Sequence, residues 1–234
     1  MHASFWHKCW ERNTLGFHQE EVHPFLSQFL APLLTESDQH VFVPLCGKSL
    51  DMFWLAERML VSGSELSEIA CRDFFNDADI TYQTNQIFDN KANQWCGNFT
   101  QFYFDSITLW QGDFLKLTPD HVISTSGKPI DWIYDRAALI ALPLDMQQAY
   151  VNHLVSFIGE GTQLFLISIE FPQNEMSGPP FSINQQAIEQ LFLAANKNCQ
   201  IKQLASRELT DKYFAQRKFD VSHLVEFLYL IDLS

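Results

Sequence analysis

A short apolar run from His40 to Leu45 ends in Pro44-Leu45-Cys46-Gly47 and leads at once to Ser49, an N-cap residue, and to an apolar stripe of Met52, Phe53, Leu55 and Ala56 at helical spacing. A buried strand, a glycine turn and a helix in that order make the first half of a parallel crossover unit. Leu60 to Leu66 then reads as a weaker second strand, with Ser67-Glu68 capping a helix through Ile69, Ala70, Phe74 and Phe75. Ile130 to Tyr134 is a compact strand, Leu144 to Ile158 a helix closed by Gly159, Gln163 to Glu170 a long buried strand and Asn184 to Ala195 a helix. This alternation predicts an open α/β sheet.

The remaining segments complete that frame. Glu20 to Leu34 carries Val22, Phe25, Leu26, Phe29, Leu30, Leu33 and Leu34 on one helical face, with Pro24 in the first turn where it is tolerated. Gly97 to Thr108 alternates well enough for a strand pair ending at Gly112-Asp113-Phe114, whereas Asp77 to Asn98 is polar and the least structured by composition. Cys199 to Glu208 and Val225 to Leu230 have no helix of crossover length between them, which predicts an antiparallel edge on a mostly parallel sheet. No repeat or Gly/Ser-rich linker divides the chain, so one domain over residues 1–234 is expected.

Charge and cysteine usage narrow the function classes. Fifteen Lys and Arg against 28 Asp and Glu leave a net charge of −13, the wrong sign for a phosphate backbone or an anionic membrane. No apolar run approaches the roughly 18 to 20 residues that span a bilayer. Met1 to Arg12 lacks the continuous apolar stretch of a secretory signal, so a cytoplasmic location is expected. The five cysteines are odd in number and irregular in spacing with no CxxC pair, and His18 and His23 are five apart rather than four. Neither a disulfide framework nor a metal site is expected, and no GxSxG elbow supports a serine hydrolase.

Pro44-Leu45-Cys46-Gly47-Lys48-Ser49 lies where α/β folds bind ligands, beyond the carboxyl end of the first strand. A P-loop would need glycine at position 42, where Phe42 stands, and a dinucleotide fingerprint would need two more glycines. One glycine without a diphosphate cradle suits a ligand with a nucleoside and little phosphate. Glu65 comes 18 residues after Gly47, close to the spacing at which a carboxylate grips a ribose diol, and is equally readable as a solvated turn residue. Asp113 is a second acidic position at a strand end or simply part of a turn, and Asp135-Arg136 is either an ion pair over a strand end or a pocket group.

Taken together, Trp6 to Trp10, Gly16-Phe17-His18-Gln19, the Pro44 to Met52 block, Glu65-Leu66-Ser67-Glu68, Gly112-Asp113-Phe114, Tyr134 to Pro143 and Gly178-Pro179-Pro180-Phe181 resemble the thiopurine S-methyltransferase family over nearly the whole chain. The resemblance implies a class I Rossmann-like methyltransferase, a mostly parallel seven-stranded sheet with an antiparallel edge and an N-terminal helical cover over residues 1–35. It implies S-adenosyl-L-methionine as cofactor, and as acceptor the sulfur of an aromatic or heterocyclic thiol, or a selenium or tellurium compound. By the same resemblance Trp10 closes over the cofactor, Leu45 lines its pocket beside Gly47, Glu65 holds the ribose hydroxyls, and Gly112 and Asp113 border the adenine. Phe17 contacts the acceptor, and Arg136 stands between cofactor and acceptor as the catalytic candidate. A monomer is implied as well.

The chain departs from the family pattern at Glu57 to Glu65, which is about one residue shorter and has Ser64 before the glutamate. That departure keeps open a cofactor-binding member without turnover, while a NAD-linked oxidoreductase would need the missing glycine run. An activated methyl needs orientation more than acid–base help, so no dedicated general base is expected.

Overall fold

The computed structural model describes residues 3–14, 16, 18–87, 98–209 and 221–232. They fall into two compact units, His2–Trp132 and Ile133–Ser234.

In the first unit, β1 (His40–Val43) pairs in parallel with β2 (Leu60–Glu65), and β2 with β5 (Ile107–Gln111). All four residues of β1 are buried, which is why this strand is a continuous apolar run rather than an alternating one. Its one polar member, His40, is satisfied internally: Nε2 lies 2.9 Å from Ser62 Oγ. The crossovers are α2 (Asp51–Ala56) after β1 and α3 (Glu68–Asn76) after β2. Ser67 caps α3 as its sequence position predicts, its side chain accepting from Ala70 N. The helix after Gly47 starts at Asp51, one residue later than expected, and Ser49 Oγ accepts from Asp51 N at 3.3 Å. Phe53 and Phe74 stack at 4.4 Å and fasten α2 to α3. An N-terminal helix, α1 (Ala3–Glu11), packs on α3.

Two antiparallel strands extend this unit, β4 (Phe99–Phe104) on β5 and β3 (Gln83–Ile87) on β4. Its strand order is β3-β4-β5-β2-β1. β3 falls in the stretch expected to be least structured; its side chains are almost all exposed, so it carries no hydrophobic period. A further helix unforeseen from the sequence, α4 (Pro119–Ser126), has a Thr118–His121 capping box and a left-handed Gly127 at its end.

The helix expected over Glu20 to Leu34 is replaced by a short π-helical turn at Leu26–Leu30. Leu26 and Leu30 are fully buried, yet Val22 and Leu33 stand exposed. His23 N donates to Asp51 Oδ1 at 2.7 Å and His23 Nδ1 accepts from Phe25 N at 3.2 Å, so His23 stands at the start of this turn and ties it to α2.

The second unit carries β6 (Trp132–Arg136), α5 (Leu144–Val155), β7 (Gln163–Glu170), α6 (Gln185–Ala195), β8 (Gln200–Glu208) and β9 (Val225–Asp232). Its strand order is β6-β7-β9-β8, with β7–β9 and β9–β8 antiparallel, the edge the missing crossover helix predicts. α5 and α6 lie together, and Gln148 Nε2 donates to Leu191 O at 3.1 Å. Among the described residues nine strands stand where the resemblance implies seven; β4 and β5 are the strand pair expected before Gly112, and β3 is unforeseen. Among the described residues no helix is long and apolar enough to cross a membrane.

Candidate active site

The carboxyl ends of β1 and β2 are locked together by consecutive hydrogen bonds. Leu45 N donates to Ser64 Oγ at 3.1 Å, Cys46 N to Ser64 O at 2.8 Å, and Gly47 N to Glu65 Oε2 at 2.9 Å. Three successive N–H groups of the turn therefore end on two successive residues of β2. Leu45 and Gly47 both take left-handed backbone angles, φ +45° and +55°; glycine tolerates this freely, leucine does not. Close approach of the turn depends on Gly63, because a Cβ there would lie 2.7 Å from Cys46 Sγ and 2.8 Å from Leu109 Cδ2.

Glu65 is the hinge of this arrangement. Its other oxygen, Oε1, accepts from Ser67 N at 2.7 Å, so one carboxylate ties the turn after β1 to the start of α3. The group is buried, and burial pushes its pKa up to about 7 against the lowering effect of the N–H groups of Ser67, Gly47 and Leu66. A carboxylate has about four acceptor sites. With the Gly47, Ser67 and Leu66 N–H groups directed at it, it retains acceptor capacity for a ribose hydroxyl. Cys46 is buried with its thiol pushed well up by the same desolvation, so it is a neutral wall residue rather than a nucleophile.

Gly112 N donates to Glu65 O at 2.8 Å and joins the same cluster. Its φ of +154° and the Phe99 ring, 2.5 Å from where a Cβ would sit, admit only glycine. Asp113 follows at the surface, where its carboxylate accepts from Leu115 N at 3.1 Å and caps a 3-10 turn over Phe114–Lys116. Trp10, alone among the residues of α1, is buried. Phe17 lies outside the described residues.

In the second unit Arg136 ends β6 and is partly buried, and Ala137 after it is left-handed at φ +63°. Asp135 does not wait for an ion pair. Its carboxylate, fully buried, accepts from Tyr150 Oη at 2.7 Å and from Leu139 N at 3.2 Å, which secures the turn that presents Arg136. Burial raises Asp135 to about 6 and Tyr150 well above its ordinary value.

Leu45, Gly47, Glu65 and Gly112 are thus gathered in one cluster, with Asp113 at its margin. Ser64 was visible only as a departure from a pattern. The signal that marks it is a polar side chain in a strand buried on both faces, which must find a hydrogen bond inside the protein.

The thiopurine S-methyltransferase family model matches residues 1–233. Thiopurine S-methyltransferase of Photobacterium profundum is 36% identical over 235 residues, covering 100% of both chains. That of Marinobacter nauticus is 38% identical over 221 residues, covering 93% of each. Among solved structures, a SAM-dependent methyltransferase from Anabaena variabilis superposes with a TM-score of 0.62 at 14% identity, covering 99% of this chain and 95% of that one, a likeness of fold.

Proposed function

Because the chain belongs to the thiopurine S-methyltransferase family and is a methyltransferase that uses S-adenosyl-L-methionine, we propose that it transfers the methyl group to the sulfur of an aromatic or heterocyclic thiol, and also to selenium or tellurium compounds. The observation that carries the assignment of the cofactor site is the buried Glu65 carboxylate at the end of β2, with acceptor capacity left over beside the Gly47 turn.

The cofactor supplies a methyl group activated on a sulfonium. The protein's part is placement. Glu65 accepts from the ribose hydroxyls, Leu45 and Gly47 shape the wall beside them, and Gly112 and Asp113 border the base. Trp10 and Phe17 exclude water and offer aromatic faces. Arg136 holds the anionic acceptor or orients its ring. A free thiol has a pKa of about 8.5 and heteroaromatic thiols ionise more readily, so the acceptor arrives as a thiolate without a general base. In this reading the protein is a cytoplasmic monomer, and it binds no nucleic acid because a net charge of −13 repels phosphate.

Isothermal titration with S-adenosylhomocysteine, followed by mass-spectrometric detection of methylated product from a panel of heteroaromatic thiols and selenium or tellurium oxyanions, tests the proposal. One-to-one micromolar binding with methylated thiols is expected. Binding without any methylated acceptor would overturn the acceptor class and bring forward the cofactor-binding member without turnover, and absence of binding would overturn the cofactor-site reading.

A further inference from the structure

We infer that Ser64 is a positioning residue for the cofactor turn, its hydroxyl holding Leu45 in the left-handed conformation that shapes the binding wall. The inference rests on the Gly47–Glu65 region being the cofactor site and adds to it a residue that acts through Leu45. Leu45 at φ +45° is a branched residue in a region of backbone space that L side chains disfavour, and such strain persists only where neighbours over-determine it. What over-determines it is visible. The β1–β2 pairing register runs from His40↔Leu60 to Val43↔Gly63 and then gives way to the turn. From there the three N–H groups of 45, 46 and 47 are taken by Ser64 Oγ, Ser64 O and Glu65 Oε2 in order.

Only the first of these acceptors depends on the identity of residue 64. The backbone O of residue 64 would serve Cys46 whatever its side chain, and Glu65 serves Gly47. Among the described residues, Leu45 N has no acceptor besides Ser64 Oγ; Ser64 is 1% exposed and Leu45 half-buried. Removing the hydroxyl releases Leu45, the left-handed residue at which the backbone turns, two positions before the glycine whose N–H orients Glu65. The consequence falls on cofactor affinity and spares the chemical step.

The test compares Ser64→Ala, Ser64→Thr and Ser64→Val, with Glu65→Ala as a control on the site itself. Thr and Val share a shape and differ in the acceptor, so packing and hydrogen bonding separate. Ala and Val are expected to weaken S-adenosylhomocysteine binding about tenfold and Thr to stay within about threefold of the unmodified chain, the scale set by losing one buried acceptor. KM for the cofactor should rise in parallel while kcat at saturating cofactor holds. Unchanged affinity in Ala and Val, or a Thr variant as weak as Val, would overturn the inference. If Val fails to fold, Ala against Thr decides by the same criterion. Should Glu65→Ala bind as tightly as the unmodified chain, it is the cofactor-site reading that fails, independently of Ser64.

Discussion

Gly47 N–H points at the buried Glu65 carboxylate from 2.9 Å, joining the turn after one strand to the end of the next. The carboxylate is therefore a structural strut in the free protein and a candidate ligand group at once. These two roles share one titration, because burial raises the group to about 7.

Cofactor affinity is accordingly expected to increase from pH 6 to pH 8 and level off above, since the ionised form accepts from hydroxyls and the protonated form does so less well. Without ligand the sign is reversed. The folded state keeps a proton that the unfolded chain gives up near 4.5, so Glu65 favours folding below that value and its contribution is lost as pH rises through about 7. Titration calorimetry across this range checks the first statement. Glu65→Gln should abolish the pH dependence and cost about 10- to 100-fold in affinity, the loss of a hydrogen bond to a charged group.

Arg136→Ala should lower turnover of an ionised thiol at least about tenfold, as expected when a charge-assisted contact is removed, and Arg136→Lys should restore only part of it because a point charge lacks the planar fork. Steady-state kinetics with one acidic and one less acidic heteroaromatic thiol makes the measurement. Unchanged turnover of the ionised thiol would remove Arg136 from the mechanism.

Tyr150→Phe deletes the hydroxyl that donates to Asp135 and leaves that carboxylate buried with backbone partners alone. A cost of about 1.5 to 3 kcal/mol is expected, a fall in Tm of roughly 3 to 12 °C for a chain of this size. The loss should be greater at pH 8 than at pH 5, because Asp135 is raised to about 6 and its neutral form has less need of the donor. Thermal denaturation at the two pH values distinguishes this from a simple packing defect.

Gly63→Ala should destabilise the fold by about 1 to 3 kcal/mol, since the new methyl meets Cys46 Sγ and Leu109 Cδ2 below 3.0 Å and the well-packed strand has little room to yield. The displaced neighbour is part of the turn. Cofactor affinity should therefore fall together with Tm, a pairing that differential scanning fluorimetry with and without S-adenosylhomocysteine reads directly.

Elements whose side chains are sorted by burial were legible from residue order. β7 occupies Gln163–Glu170 as its continuous apolar run predicts, α3 begins after its expected cap, Ser67, and α6 fills the helix expected over Asn184 to Ala195, with Asn184 as its cap. The Gly47–Glu65 spacing led to the cluster, and family resemblance supplied Trp10 and Phe17. Where tertiary bonds compete with local pattern, the reading failed. Residues 20 to 34 have a helical stripe, but Val22 and Leu33 stand exposed and only a π-helical turn forms at Leu26–Leu30. β3 has polar, exposed side chains, so nothing but its hydrogen bonds to β4 makes it a strand.

The same division runs through the site. Residue order determined that a glycine turn follows one buried strand and that a carboxylate follows the next, because apolar periodicity and chain spacing are local properties of the sequence. Tertiary structure decided that Glu65 spends one oxygen on Gly47 and the other on Ser67, that Ser64 holds Leu45, and that Asp135 turns to Tyr150. Those partners are up to 19 positions apart, and the low-dielectric interior that sets their hydrogen bonds and shifts their proton affinities exists only once the chain has folded.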